Sequence, residues 1–240
     1  MRKNTAKTVY PEIITDSVLI IGDIHGAFNR LKDLIVRSQI ENCCLICVGD
    51  LGIGFQYSEE GERKGIEALN SFFAERSILF MSIAGNHDSP SYFDGSVNLS
   101  HFKLLPDYTR IRINGEEFLF VGGAVSIDRL WRVPNLSYWE DEVFVLKPDL
   151  AGKCDVLITH SAPYWIGPFD KEGLASWCKK DKTLWDECYK ERMEIDELIK
   201  LCQPKRAFIG HFHQSAWVDF RDCYARILNI EEIVEHRQNQ

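Results

Sequence analysis

The chain has 240 residues, 45% of them hydrophobic and 27% charged, with a formal net charge of −8. That length suits one sizeable domain over 1–240, with no linker to divide it, and the composition is that of a globular chain with a core rather than a disordered one; only the first eight and last five residues read as loose ends. The charge argues against a protein that coats nucleic acid, which would carry a basic stripe, but leaves room for a small phosphorylated substrate, because local charge at a metal site can oppose that of the whole molecule.

The basic start, Met1 to Lys7, precedes an apolar run, Val18 to Ile21, too short for a signal peptide or a membrane span. A cytoplasmic location without membrane contact is the expectation. That run is the first strand, leading to Gly22-Asp23-Ile24-His25-Gly26, and Phe28, Leu31, Leu34 and Ile35 follow at helical spacing. Cys44 to Val48 is a second strand, ending at Gly49-Asp50. A helix over Ser58 to Arg76 comes next, and the strand Ile78 to Ile83 leads to Gly85-Asn86-His87-Asp88. Cys44 and Cys47 have C-x-x-C spacing, but along a strand side chains alternate between faces, so a zinc clip or redox pair is not expected. The eight cysteines are not read as a disulfide framework either, since that device belongs to small secreted chains without a core.

Thr109 to Ile113 alternates, Asn114-Gly115 is a type I′ turn, and Phe118 to Val121 returns, so a hairpin is predicted and the sheet must be mixed. An irregular stretch follows, containing Arg129 and Arg132 after Gly122-Gly123 and the aromatics Tyr138, Trp139, Tyr164, Trp165 and Trp177. These could stack on a base or a peptide side chain, or pack in a core. Val156 to Thr159 leads to His160. A helix of dense mixed charge, about Lys182 to Leu201, reads as a solvated face with i,i+4 pairs. Arg206 to Ile209 then leads to Gly210-His211-Phe212-His213, and Ala216 to Phe220 with Cys223 to Ile230 reads as a closing hairpin.

Five of the seven histidines, His25, His87, His160, His211 and His213, fall in loops directly after predicted strands. His101 and His236 do not, and read as solvated or satisfied side chains. Singly, each polar motif could be a cap or an Asx-turn. Together, the imidazoles, carboxylates and an amide carbonyl form the N/O ligand set that divalent first-row metals accept. They exceed the three or four protein ligands of one zinc-like ion. Two ions are implied, about 3.5–4 Å apart, sharing a carboxylate and a water whose depressed pKa makes it a nucleophile for in-line displacement at phosphorus.

In motif order, Gly22-Asp23-Ile24-His25, Gly49-Asp50, Gly85-Asn86-His87-Asp88, Thr159-His160 and Gly210-His211-Phe212-His213, the chain resembles the calcineurin-like metallophosphoesterases from Gly22 to His213. The resemblance implies an α/β fold, a four-layer α-β-β-α sandwich with two mixed β-sheets. It implies two divalent transition-metal ions (Mn, Fe, Ni or Zn), the first held by Asp23, His25 and His213, the second by Asn86, His160 and His211, with Asp50 bridging. It makes His87 the residue that contacts the phosphoryl group and protonates the leaving oxygen, Asp88 holding its ring, with Asn86 also beside the substrate. The opening motif resembles the phosphoprotein phosphatase branch, but the Asp-Arg-Gly arginine of that branch is absent from Gly49-Asp50-Leu51-Gly52. Arg129 is the candidate replacement for that phosphate-binding cation, ahead of Arg132; the competing reading is a surface arginine paired with Asp128. The expected function is dinuclear metal-dependent hydrolysis of small phosphorylated compounds or phosphoprotein, with no long duplex nucleic acid as partner. The alternatives are a phosphodiesterase or nuclease of the same family, or a non-catalytic scaffold.

Overall fold

In the computed structural model the described residues are 10–55, 58–167 and 173–237. Most of the loose ends read from the sequence, residues 1–8 and 238–240, lie outside them. His236, by contrast, is the last residue of a strand.

Local chemistry accounts for the helices on the first sheet. The helix α1 (Phe28–Arg37) buries Leu31 and Ile35, four residues apart on one face. The helix α2 (Glu59–Ala74) starts at Ser58, whose hydroxyl accepts the Gly61 N–H, and Glu59, Glu60 and Glu62 sit in its first turn, where carboxylates favour the positive end of the helix dipole. Its Ile66, Leu69 and Phe73 are buried.

The first sheet has the order β11 (Ile233–His236), β1 (Ser17–Ile21), β2 (Cys43–Cys47), β3 (Leu79–Ser82), β4 (Phe102–Leu104); β1 to β4 run parallel and β11 antiparallel to β1. The second has the order β5 (Thr109–Ile113), β6 (Glu116–Val121), β7 (Val156–Thr159), β8 (Arg206–Ile209), β10 (Cys223–Ile227), β9 (Ala216–Phe220), parallel in the middle and antiparallel at both edges. Both sheets are therefore mixed. Strand alternation sorts the core into layers. Ile20, Cys44, Ile46 and Met81 of the first sheet meet Phe118, Phe120, Val156, Ile158 and Phe208 of the second. Ile21, Leu45, Cys47 and Phe80 face outward onto Leu31, Ile35, Ile66 and Phe73 of α1 and α2. On the far side, Leu119, Leu157, Ala207 and Ile209 pack against Ile195, Leu198 and Cys202 of a long helix (Leu184–Cys202). The architecture is a four-layer α-β-β-α sandwich. A four-residue helix, α3 (Leu174–Trp177), precedes the long one, which is α4.

The hairpin turn stands as predicted, with Asn114 at φ 48 and Gly115 at φ 85, the positive pair that a type I′ turn requires. Cys44 and Cys47 point to opposite faces of β2, and all eight cysteines are free. Two strands were not anticipated. Three residues suffice for β4, too few for a period to show. The tail does not close on the β9–β10 hairpin either: it crosses back to the first sheet, where β11 pairs with β1 through Ile21 and Ile233. Among the described residues no helix is long and apolar enough to cross a membrane.

Because the central strands within each sheet are parallel, the loops after β1, β2 and β3 open at one edge of the first sheet and those after β7 and β8 at one edge of the second. Ligands gather at such carboxyl ends.

Candidate metal centre

The loops are locked to one another by backbone hydrogen bonds. The Asp50 carbonyl accepts the N–H groups of Ile24 (2.9 Å) and His25 (2.8 Å), and the Asp23 carboxylate accepts the His211 N–H at 3.0 Å. His25, Asp50, His211 and His213 all have left-handed backbone, with φ of 49, 49, 69 and 54. Such conformations cost non-glycine residues about 1–3 kcal/mol each and persist where the surroundings over-determine them, typically at functional sites. Glycines make the close approaches: a Cβ on Gly85 would lie 2.0 Å from Asp50 Oδ1, and one on Gly210 2.4 Å from Asp23 Oδ1.

Two groups of donors result, Asp23, His25, Asp50 and His213 in one and Asp50, His160 and His211 in the other, the ligand atoms within each lying inside 4.8 Å of one another. In the first, His25 Nε2 and His213 Nε2 are 3.0 Å apart and His213 Nε2 is 3.2 Å from Asp23 Oδ2. In the second, Asn86 Oδ1 lies 2.7 Å from His211 Nδ1 and 3.3 Å from His160 Nε2. Asp50 belongs to both. Its Oδ1 accepts the His87 N–H at 2.7 Å and lies 3.2 Å from His160 Nε2, while its Oδ2 is buried without a hydrogen-bond partner, His25 Nε2 lying 3.8 Å away. An orphaned carboxylate oxygen facing converging imidazole nitrogens is what a divalent cation would satisfy, and the donor set fits two such ions. All seven ligands read from the sequence are thus brought together.

Outer contacts aim the donors. His160 Nδ1 is 2.8 Å from the Val48 carbonyl, which fixes a tautomer with Nε2 toward the site. Asn86 Nδ2 donates to Ser126 Oγ at 3.0 Å, and the Ser126 hydroxyl donates to the buried Glu142 carboxylate. Glu142 also accepts the Trp139 N–H at 3.0 Å, and burial pushes its carboxyl up to about 7. This relay turns the Asn86 oxygen toward His160 and His211 and engages one Asn86 N–H with Ser126. Ser126 and Glu142 carried no ligand-like signal in the sequence.

Asp23 and Asp50 are both fully buried. Burial opposes charge on Asp50, yet His160, His87 and His25 hold its carboxyl well below the ordinary range. Burial likewise opposes charge on His160, but Asp50 and Asp23 outweigh it and push the ring up to about 9. The pocket is built to hold positive charge.

Three of the expected roles are revised by the geometry. Asp88 does not hold the His87 ring: its carboxylate accepts the backbone N–H groups of Leu51 (3.1 Å), Gly52 (2.7 Å), Ile53 (3.0 Å) and Gly85 (2.8 Å), tying the β2 loop to the β3 loop. Arg129 is not at the site. Its guanidinium is committed to Asp181 (2.6 Å), Thr183 (3.0 Å) and Glu187 (3.0 Å). Arg132 is the arginine that reaches the centre, donating to the Asn86 carbonyl at 2.8 Å and to His87 Nε2 at 2.5 Å, and it, not Arg129, pairs with Asp128 (2.8 Å). The His87 ring is therefore a neutral acceptor. Burial first, and then the Arg132 guanidinium, hold it down at about 4 against the pull of Asp50.

The other expectations resolve simply. His236 is buried against Glu116 (2.7 Å), and His101 sits beside Ser100. Trp165 donates to Asp196 (2.8 Å), Trp139 packs on Phe55 and Trp177 on Trp131. Tyr164 lines a cavity that His211 also lines.

A four-layer sandwich with an Asp/His/Asn donor set at the carboxyl ends of both sheets defines a metal-binding hydrolase class. The chain belongs to the calcineurin-like phosphoesterase family, whose model matches residues 17–215. It is similar to the DNA double-strand break repair protein Mre11 of Sulfurisphaera tokodaii, 24% identical over 196 residues that cover 80% of this chain and 43% of that protein. The chain thus spans less than half the length of that relative. Among solved structures it is similar to GAP50, the anchor in the inner membrane complex of Plasmodium, at a TM-score of 0.41 and 10% identity, covering 89% of this chain and 71% of that one.

Proposed function

We propose that the protein hydrolyses small phosphate esters using two divalent transition-metal ions, one held by Asp23, His25 and His213 and the other by Asn86, His160 and His211, with Asp50 shared. The observation that carries this reading is the buried Oδ2 of Asp50, which has no hydrogen-bond partner and faces His25 Nε2 at 3.8 Å, in the residue common to both donor groups. When bound, the ions supply Lewis-acid polarisation and a water acidic enough to attack phosphorus near neutral pH. The N/O donor set, without thiolate, does not select among Mn, Fe, Ni and Zn.

The chain's own groups do the rest. Two carboxylates do not neutralise two divalent ions, so the site keeps a net positive charge suited to an anionic phosphoryl group. Arg132 adds a guanidinium whose planar fork matches phosphate oxygens. His87 is the proposed proton donor to the leaving oxygen. In the free chain Arg132 suppresses its protonation; a phosphoryl dianion that draws Arg132 to itself and sits beside the ring has the opposite effect, because a nearby negative charge favours the imidazolium. The second reading is a DNA-directed diesterase, suggested by the name of the Mre11 relative and opposed by the net charge of −8.

A metal-reconstituted panel decides between them: an aryl phosphomonoester and a diester with the same leaving group, a cyclic nucleotide, and single-stranded and long duplex DNA. Turnover of the small esters, lost in Asp50→Ala, is expected, with duplex DNA a poor substrate. Efficient duplex cleavage abolished by Asp50→Ala would replace the small-ester reading with a nuclease.

A further inference from the structure

A cavity of about 250 Å³ opens next to the metal centre and shares His211 with it. Its other walls include Ser161, the residue after the ligand His160, and Tyr164, Trp185, Tyr189 and Phe212. Trp185 and Tyr189 lie four residues apart on α4, so they stand on one face of that helix. They are 51% and 52% exposed, and Tyr164, whose ring meets that of Tyr189 edge-on at 6.3 Å, is 49% exposed. The wall offers almost no free charge. Glu191 is engaged by the Val125 N–H at 2.7 Å, and Arg192 donates to the Pro163 carbonyl at 3.0 Å and to that of Ile166. Among the buried side-chain polar atoms of the described wall one is left over: the Ser161 hydroxyl, in a residue only 1% exposed, has no hydrogen-bond partner. A buried hydroxyl without a partner costs free energy that a ligand atom could recover.

Resting on the phosphoesterase reading of the metal centre, we infer that this cavity binds the leaving part of the substrate, and that this part carries a flat, uncharged heteroaromatic ring of the nucleobase kind. Aromatic walls bind a ring by stacking with little regard to its identity. The absence of an uncommitted charged group among the described lining residues selects a neutral ring over a phosphorylated or ionic one. Ser161 selects a ring with a polar edge over a plain hydrocarbon, and a phosphotyrosine ring, whose only oxygen is esterified, has no such edge to offer. The shared His211 places the ring within the same substrate as the phosphoryl group. The proposed substrate class is therefore the nucleotide, cleaved at a phosphoester that joins it to, or within, a nucleoside.

Adenosine 5′-monophosphate and ribose 5-phosphate share a primary alkoxide leaving group and a ribose and differ in the heteroaromatic ring, so their kcat/KM ratio isolates the cavity. In the metal-loaded wild type the nucleotide should be preferred, mainly through KM. Trp185→Ala should lower that ratio by roughly tenfold, within the range expected for loss of one base–aromatic stack, with Trp185→Phe restoring most of it and Ser161→Ala lowering it less. Equilibrium dialysis with adenosine, which has no phosphate, should show binding by the wild type that Trp185→Ala weakens. A ratio unmoved by Trp185→Ala, or no retention of adenosine, overturns the inference, as does a phosphotyrosine peptide preferred over the nucleotide with the same dependence on Trp185. If neither ester is hydrolysed while adenosine is still retained, the phosphoesterase reading has failed and the ring site stands.

Discussion

Arg129 and Arg132 are three residues apart, and their opposite fates decide how the site meets phosphate. In Arg129 all three guanidinium nitrogens are already engaged by Asp181, Thr183 and Glu187, whereas Arg132, 7% exposed, reaches the His87 ring and the Asn86 carbonyl. A dianionic monoester gains more from an added cation than a monoanionic diester does. A charge-assisted hydrogen bond contributes about 1.5–3 kcal/mol, so Arg132→Ala should reduce kcat/KM for an aryl monoester by roughly 10- to 100-fold and for the matched diester by much less. Arg129→Ala should instead lower the melting temperature and leave the monoester-to-diester ratio in place. Steady-state kinetics on both variants checks this, and the reverse pattern would return Arg129 to the site. The sequence could not choose between the two because the choice depends on where Asp181 and Glu187 arrive, more than fifty positions away. The role of Asp88 was hidden for a similar reason: its four partners are backbone N–H groups, which leave no trace in residue type.

The strand ends were legible in the sequence because each motif is a local signal, an apolar run followed by glycine and a polar ligand. What such signals omit is the contact between elements. The Asn86 amide is aimed by Ser126, after β6, and Ser126 by Glu142, in an irregular stretch with no period to read. The face that α4 turns to the cavity carries no signal of its own in the sequence, because the dense mixed charge of that helix reads as a solvated face with i,i+4 pairs and two aromatics four residues apart do not stand out against it. The short β4 was missed for want of length, and β11 because it pairs with β1 across almost the whole chain. The relay carries its own test. Removing an outer-shell partner typically costs 10–100-fold in metal affinity, so Glu142→Ala should weaken binding of one ion by about that factor, through a freed Asn86 amide, while the ion on Asp23, His25 and His213 keeps its affinity. Competitive chelator titration should then resolve two unequal sites in the variant. Equal weakening of both ions, or no change, would mean that Glu142 supports the loops generally rather than the Asn86 amide.

At the scale of the whole molecule, the donor set joins the two sheets. Asp23, His25, Asp50 and Asn86 follow strands of the first, and His160, His211 and His213 follow strands of the second. Two fully buried carboxylates at that seam require counter-charge, and ions bound only by the folded chain add stability by mass action. At a free metal concentration about a hundred times Kd, one site contributes about 2.7 kcal/mol. For a chain of this size that raises Tm by roughly 5–10 °C. Reconstituted protein should therefore contain close to two transition-metal ions per chain and melt higher than chelator-treated protein, and Asp50→Ala, which removes the shared ligand, should lose most of both effects. The measurements are elemental analysis and calorimetry across a chelator series, and neither depends on knowing a substrate. One ion or none in the reconstituted protein, together with an unaltered Tm after chelation and no difference in Asp50→Ala, would remove the dinuclear centre. The orphaned Asp50 oxygen would then have to be satisfied by a proton or a water, and the phosphoester chemistry built on it would fall as well.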